Sequence, residues 1–170
     1  MGDPKKHRKK YSKPRNKWQK ERLEKELNLL GKYGLRNKKE IWRLQSMVSK
    51  YRGRARKLLS LTEEERDLVM KELNSRLNKI GLLPETANVE DILRLTIEDI
   101  LERRLQTMVF NLGLAVTIYH SRQLITHGHI AIAGQKVTSP GHLVKRREEK
   151  SINYSSNSPY SNPDHPMRNV

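Results

Sequence analysis

Between Leu112 and Val137 the chain carries a group of side chains whose chemistry suits a phosphate backbone. The cationic and hydrogen-bonding members of this group are His120, Arg122, Gln123, His127, His129 and Lys136. No acidic residue occurs from Arg103 to Arg147, so no carboxylate in this stretch repels an anion. Cations and hydrogen-bond donors without carboxylates are typical of nucleic-acid-binding surfaces. The stretch therefore predicts contact with a polynucleotide.

Three further groups of cations extend this prediction. The basic arm, residues 1–17, supplies Lys5, Lys6, Arg8, Lys9, Lys10 and Arg15. A predicted helix beginning at Asn37 carries Arg43, Lys50, Arg54 and Lys57 along one flank, with Arg52 and Arg56 on the other. Glu40 is the only acid from Arg36 to Lys57, so these cations have almost no local ion-pair partners. Arg103 and Arg104 follow where an acidic helix turns basic. We expect all of them to contact RNA, and the arm to be disordered until phosphates neutralise it.

Other chemistry is poorly supported by the same residues. His127 and His129 lie near each other without a cysteine or a carboxylate, which argues against a metal site. His120 and Ser121 are adjacent in a predicted helix, so their side chains point apart and cannot act as base and nucleophile. Glu63, Glu64 and Glu65 suit the positive start of a helix better than they suit catalysis. We therefore predict no enzyme activity, no metal and no cofactor.

The elements that must position these residues are mostly helical. Apolar spacing predicts helices over 18–30, from Asn37 to about residue 58, over 62–80 and from Thr96 to about residue 112, with a short link between the last two. Thr62 to Glu65 has the pattern of a capping box. Gly113, Thr117 and His127-Gly128 predict a turn, a second short helix and its end. Ile130 and Ile132, alternating with alanines, predict a half-buried strand that turns at 133–136, and residues 143–145 and 151–154 offer two more strands. The fold class predicted is α+β.

Composition narrows the class of protein. The 170 residues include 35 Lys plus Arg against 19 Asp plus Glu, a net charge of +16. Charge of one sign repels itself in a compact state, so a polyanionic partner is the natural explanation. The absence of cysteine excludes disulfides and thiolate-ligated zinc. The charged N-terminus does not resemble a signal peptide, and no apolar run approaches the length that spans a membrane. We therefore expect a cytoplasmic protein.

The run from Arg104 to Pro140 resembles the S-four RNA-binding domain, a small αα-turn-β module. The matching positions are Arg104-Leu105, Gly113-Leu114-Ala115, Arg122 to Ile125, His127 to Ile130, Gly134, Val137 and Ser139-Pro140. Val116 and Asn111 depart from this pattern, since many relatives have a basic residue there. The chain ends resemble the archaeal and eukaryotic family of small-subunit ribosomal protein S-four, and the matching stretches are Gly2 to Lys6, Arg8 to Tyr11, Glu21 to Leu23, Tyr33 to Leu35, Asn37 to Glu40, Ser158 to Tyr160, Asn162-Pro163 and His165-Pro166.

This resemblance implies a structural ribosomal protein that binds small-subunit ribosomal RNA at a helix junction early in assembly. It also implies contact with the neighbouring protein S-five, a position near the channel by which messenger RNA enters, and an influence on decoding accuracy. We expect a basic arm over 1–17, a helical domain over 18–95, an S-four RNA-binding domain over 96–154 and an extended tail over 155–170. Two alternatives remain: a free RNA-binding factor acting on transfer RNA or stalled large subunits, and an RNA-modifying enzyme.

Overall fold

The structure is a computed structural model that describes residues 9–162 and His165. The predictions for Lys5, Lys6 and Arg8, and for most of the tail beyond Asn162, lie outside these residues. Within the described part, the helices and strands are α1 Lys20–Lys32, α2 Lys38–Leu58, α3 Glu63–Ile80, α4 Val89–Arg94, α5 Ile97–Glu102, α6 Leu105–Asn111, α7 Ile118–Thr126, β1 Ile130–Ile132, β2 Gln135–Lys136 and β3 Ile152–Tyr154. Two short 3-10 helices occupy Glu149–Ser151 and Pro159–Ser161.

The longest helix, α2, organises the N-terminal half as its apolar spacing predicts. The Asn37 side chain accepts a hydrogen bond from the Lys39 amide and caps the helix. Five of the six predicted apolar positions are buried, and Tyr51 is half-buried. The prediction for α1 is wrong in one respect, because Leu27 remains 64% exposed while Glu26 is the buried residue. The Glu26 carboxylate therefore occupies the packed face of α1, and the Leu27 side chain extends into solvent.

The acidic start of α3 differs from the prediction in its hydrogen bonds. Thr62 occupies the cap position, but its side chain makes no capping hydrogen bond, so the capping box is not formed. Glu63, Glu64 and Glu65 nevertheless lie in the first turn, where the helix dipole favours negative charge. Val69, predicted to be buried, is exposed, whereas Leu73 and Leu77 are buried. Gly81 ends the helix in the left-handed region, as expected.

The single helix predicted from Thr96 to about residue 112 is broken at Arg103 and Arg104. Arg104 adopts an extended backbone and forms a β-bridge with Leu143, and the Leu105 amide donates to the carbonyl of His142. The pairing of Arg104 and Leu105 with residues 142 and 143 therefore interrupts the helix, although the apolar spacing continues through this point. One consequence is that residue 143 contributes this bridge instead of the strand predicted at 143–145.

The sheet has the order β2-β1-β3, and both pairings are antiparallel. The two-residue turn at Ala133 and Gly134 joins β1 to β2, and both residues have positive φ. All three residues of β1 are buried, so the predicted half-buried strand is wrong. Ile130 and Ile132 pack in the cluster with α6 and α7, and Ala131 on the opposite face is buried as well.

Three apolar clusters form the core of the described residues. The first joins α6, α7, β1 and β3, and this unit is called the module below. The second joins α1, α2 and α5, and the third joins α2, α3 and α4. The fold is α+β, as predicted, with a helical region followed by a small αα-turn-β module. None of the described helices has the length and hydropathy needed to cross a bilayer.

Candidate nucleic-acid interface

The exposed face of α2 carries a row of cations. Arg43, Lys50, Arg54 and Lys57 are all exposed, and at about 100° per residue they fall within roughly 60° of one another. This row, the cationic stripe, lies on one flank of the helix, about 125° around the axis from the centre of the buried face. No ion pair is formed by these four residues among the described part of the chain. Their charges are therefore available to an external anion.

The described part of the basic arm lies along one side of this stripe. The rings of Tyr11 and Trp42 are 6.0 Å apart, and the Ser12 amide donates to Ser46 Oγ over 3.1 Å. Arg22 donates to the carbonyls of Asn16 and Lys17, each at 2.8 Å. Residues 9–17 therefore contact α1 and α2, and the prediction that the arm is disordered until phosphates neutralise it stays a prediction. The exposed cations Lys9, Lys10 and Arg15 are held beside the stripe.

The module meets the other side of α2 through Glu40. Its carboxylate accepts hydrogen bonds from Arg104 at 2.6 Å and from Arg122 at 2.9 Å. Burial acts to raise the pKa of Glu40, but the hydrogen bonds and charges of Arg122 and Arg104 outweigh it and hold the pKa below its usual value. Buried Gln106 completes the junction, because its amide donates to the Gly34 carbonyl while its oxygen accepts from Arg122. The stripe therefore lies between the arm and the module.

Three arginines that we expected to contact RNA make contacts inside the protein, and two of them do so at this junction. Arg104 is 4% exposed and is held by Glu40. Arg122 is mostly covered by the same contact. Arg103 donates to the carbonyls of Ile80 and Val144 and pairs with Glu149 at 3.2 Å. Their guanidinium groups are engaged inside the protein, so they are less available to an external anion than the cations of the stripe.

The second flank of α2 is less free than the stripe. Arg52 is half-buried and donates to the Leu95 carbonyl at 2.6 Å, which joins α2 to the end of α4. Arg56 is exposed on the same flank. It lines a shallow cleft with Arg52, Thr96 and Ile97. Arg56 is therefore available to an anion, but it faces a different side from the cationic stripe.

On the module, the predicted residues divide by exposure. Gln123, His127 and Lys136 are exposed, whereas His120 and His129 are half-buried. The His129 ring is 2.9 Å from Ser158 Oγ and packs edge-on against Tyr160. Burial, together with the positive charge of His127 and Lys136, lowers the pKa of His129 below its usual value. His129 is consequently a hydrogen-bonding group near neutral pH and adds little positive charge.

The turn between α7 and β1 fixes where Lys136 extends. Gly128 has φ +77°, and a Cβ built at this position would overlap the end of the Lys136 side chain. Lys136 therefore crosses the backbone of the turn to reach the surface that carries His127. A residue with a Cβ would strain this left-handed backbone and would require the end of the Lys136 side chain to move.

Sequence reasoning did not identify Glu40 and Gln106, which join the two halves of the molecule. Glu40 did carry a signal, since a lone acid in a strongly basic helix must have a specific partner. Gln106 carried none, because a glutamine in a predicted helix is ordinarily exposed. Across residues 9–162 and His165, no group of three or more potential metal ligands occurs.

Known proteins resemble this chain in both the module and the whole length. A family model described as the S4 domain matches residues 103–150. The chain is 56% identical over 161 residues to small ribosomal subunit protein uS4 of Hyperthermus butylicus, covering 95% of this chain and 92% of that protein. It is 56% identical to the Ignicoccus hospitalis uS4 over 94% of this chain and 96% of that protein. It is 58% identical to the Saccharolobus solfataricus uS4, over 91% and 86% respectively.

Proposed function

The chain belongs to the uS4 family of small ribosomal subunit proteins, and we propose that it binds small-subunit ribosomal RNA at a helix junction early in assembly. Family membership makes it a structural constituent of the small subunit, in the ribosomes of the cytoplasm. It is not an enzyme, as predicted, because its relatives are ribosomal proteins. The RNA-modifying alternative is therefore dropped.

The observation that carries the proposal is the position of the cationic stripe between the arm and the module. Arg43, Lys50, Arg54 and Lys57 have no ion-pair partners in the described chain, and leaving like charges this close together is unfavourable without an anion. Glu63, Glu64 and Glu65 lie at the start of α3, which is a different helix, so they are not the partners of these cations. A row of unpaired cations with the arm on one side and the module on the other fits an extended phosphate backbone better than it fits a small ligand.

The proposed contact residues follow from exposure. They are Lys9, Lys10 and Arg15 of the arm, Arg43, Lys50, Arg54 and Lys57 of the stripe, Arg56 on the other flank of α2, and Gln123, His127 and Lys136 of the module. His120 and His129 are proposed as hydrogen-bonding groups at the edge. Lys5, Lys6 and Arg8 remain predictions from sequence. Arg52, Arg103, Arg104 and Arg122 are assigned structural roles.

The proposed mechanism is recognition by charge and shape. Each cation that neutralises a phosphate releases counterions, and roughly eight to ten such contacts would lower the affinity by about three or more decades between low and moderate salt. A-form RNA hides its base edges in a deep groove, so the geometry of a junction is recognised in preference to sequence.

Contact with protein S-five, a position near the messenger RNA channel and an influence on decoding accuracy are further proposals that rest on the family alone.

Sedimentation tests the proposed function. The full chain, expressed with a tag in an archaeal host, should migrate with small subunits, and a substantial fraction should remain bound after a high-salt wash. Many phosphate contacts made together explain this retention, because dissociation requires breaking them at once. A chain found free in the supernatant or with large subunits would instead indicate the free RNA-binding factor and would contradict the proposal.

A further inference from the structure

A cleft of about 440 Å³ lies between the arm, α1 and α2, outside the stripe described above. Its walls include the indoles of Trp18 and Trp42 together with Pro14 and Leu23. This volume falls within the range of about 300–1,000 Å³ that is typical of sites for small molecules. None of these residues was among the predicted contacts, so the cleft is a feature that the charge pattern did not reveal.

Trp18 is the residue that demands an explanation. Its side chain is 88% exposed, which is the largest exposure among the large apolar side chains described. A fully exposed indole gives up most of the stabilisation that its burial would provide, about 25 cal/mol per Å² of apolar surface. Tryptophan is also enriched at binding surfaces, where its flat face contacts a partner. A ligand that covers Trp18 accounts for this exposure.

Buried ion pairing joins the walls of the cleft. Glu26 is 2% exposed and accepts from Arg22 at 2.6 Å and from the Trp42 indole N–H at 3.1 Å. Arg22 also donates to the carbonyls of Asn16 and Lys17, directly before Trp18. Because the indole N–H of Trp42 is satisfied, what this ring offers to a ligand is apolar surface. The arm, α1 and α2 are thus joined through one carboxylate.

The rim of the cleft is cationic. Lys13, Lys17, Lys38 and Lys39 all line it, and its carboxylate, Glu26, is already neutralised by Arg22 and by Lys38 at 3.5 Å. An apolar protein segment would fit the floor but would leave Lys13, Lys17 and Lys39 without partners. A paired RNA helix would suit the lysines but would offer no exposed base. A flat apolar group flanked by phosphates satisfies both features.

We propose that the cleft holds an unpaired base of the bound RNA, stacked on Trp18 beside Trp42, with its flanking phosphates at Lys13, Lys17 and Lys39. The inference rests on the proposed function and adds a second mode of contact to it. Stacking is tolerant of base identity because every base has a π-face. The site therefore recognises the presence of an unstacked nucleotide at the junction, whatever its sequence.

Binding of the full chain to a transcript of small-subunit ribosomal RNA tests the inference. Trp18→Ala should weaken binding about tenfold, which is typical of losing one stacked base, while leaving the salt dependence unchanged since no charge is removed. Trp18→Phe should restore most of the affinity. Leu27→Ala is the matched control, because Leu27 is an exposed apolar residue of α1 outside the cleft, and it should change affinity less than twofold.

A second measurement locates the base directly. In a set of four transcripts, each with a photoreactive analogue at one of the four bases, at least one should crosslink on irradiation to the peptide that contains Trp18. Affinity of Trp18→Ala within twofold of the unmodified chain would overturn the inference while leaving the proposed function intact, and it is also the result expected if a protein segment occupies the cleft. Crosslinks confined to other peptides would overturn it too. An unmodified chain that fails to bind the transcript at all would overturn both proposals.

Discussion

Glu40 connects parts of the chain that are more than sixty residues apart. Arg104 and Arg122 both donate to its carboxylate, and the three side chains are largely removed from solvent. Removing one member of such a group leaves the others desolvated and unpaired, which costs more than the pair contributes. The acid in the basic helix thus preserves the geometry of the interface, although it lowers the positive charge there.

Replacing Glu40 should destabilise the fold. Glu40→Gln is expected to lower the free energy of unfolding by about 3 kcal/mol, toward the lower end for buried pairs because the Glu40 side chain keeps 16% of its surface exposed. Urea unfolding at neutral pH measures the change. Glu98→Gln is the matched control, since Glu98 pairs with Lys32 on the surface and should cost less than about 1 kcal/mol.

The pH dependence provides an independent check on the same residue. Because the folded-state pKa of Glu40 lies below its ordinary value of 4.5, the unfolded chain binds the proton more tightly. The stabilisation by Glu40 is therefore present above pH 4.5 and is lost as the pH falls through the folded-state pKa. The difference between Glu40→Gln and the unmodified chain should shrink in that window. A difference that stays constant with pH would mean that the ionised carboxylate does not supply the stability.

At the scale of elements, the turn between α1 and α2 docks on the module. The Gln106 amide donates to the carbonyls of Tyr33 and Gly34 and to that of Ile118 in α7. Gly34 has φ +57°, and a Cβ there would lie 2.8 Å from Gln106 Nε2 and 3.0 Å from Ile118 Cγ2. The Tyr33-Gly34-Leu35 sequence is thus required by a contact between the two halves of the molecule.

Gly34→Ala should weaken this contact. The left-handed backbone costs about 1–2 kcal/mol for a residue with a Cβ, and the crowding against Gln106 and Ile118 adds to it, so a loss of about 2–3 kcal/mol is expected in urea unfolding. Gly31→Ala is the control, because Gly31 lies inside α1 and its Cβ would meet no atom within 4 Å. This control should be neutral or slightly stabilising. Equal effects of the two changes would contradict the docking role.

What the sequence could predict at this scale was local. The limits of α2 and α3, the cap at Asn37, the glycine ends at Gly81 and Gly113 and the hairpin after Ile130 all follow from residues close in sequence. The break at Arg104 and the complete burial of β1 depend on partners some 20 to 40 residues away, namely Leu143 and β3. The ion pairs of Arg104 and Arg122 with Glu40 could not be predicted for the same reason, because a cation's partner is visible only after folding.

At the scale of the whole molecule, the cations fall into two groups that differ in how exposed their side chains are. Some cations hold the fold together, as Arg103 and Arg104 do, and others remain on the surface, as in the stripe. A count of charges does not distinguish the two groups, but exposure does. The structure also separates Arg54 from Arg56, since residues two apart on a helix face different sides. A test of the interface should therefore change residues of the stripe alone.

The salt dependence of RNA binding provides that test. Arg43→Gln combined with Lys50→Gln should lower the slope of log affinity against log salt by about 1.4–1.8, since each phosphate contact contributes about 0.7–0.9. Lys71→Gln combined with Lys79→Gln removes the same charge from exposed positions of α3 and should leave the slope nearly unchanged. Filter binding to the small-subunit RNA transcript over a series of salt concentrations measures both. Equal slopes for the two double variants would mean that RNA responds to net charge alone, and the stripe would then have no special place in binding.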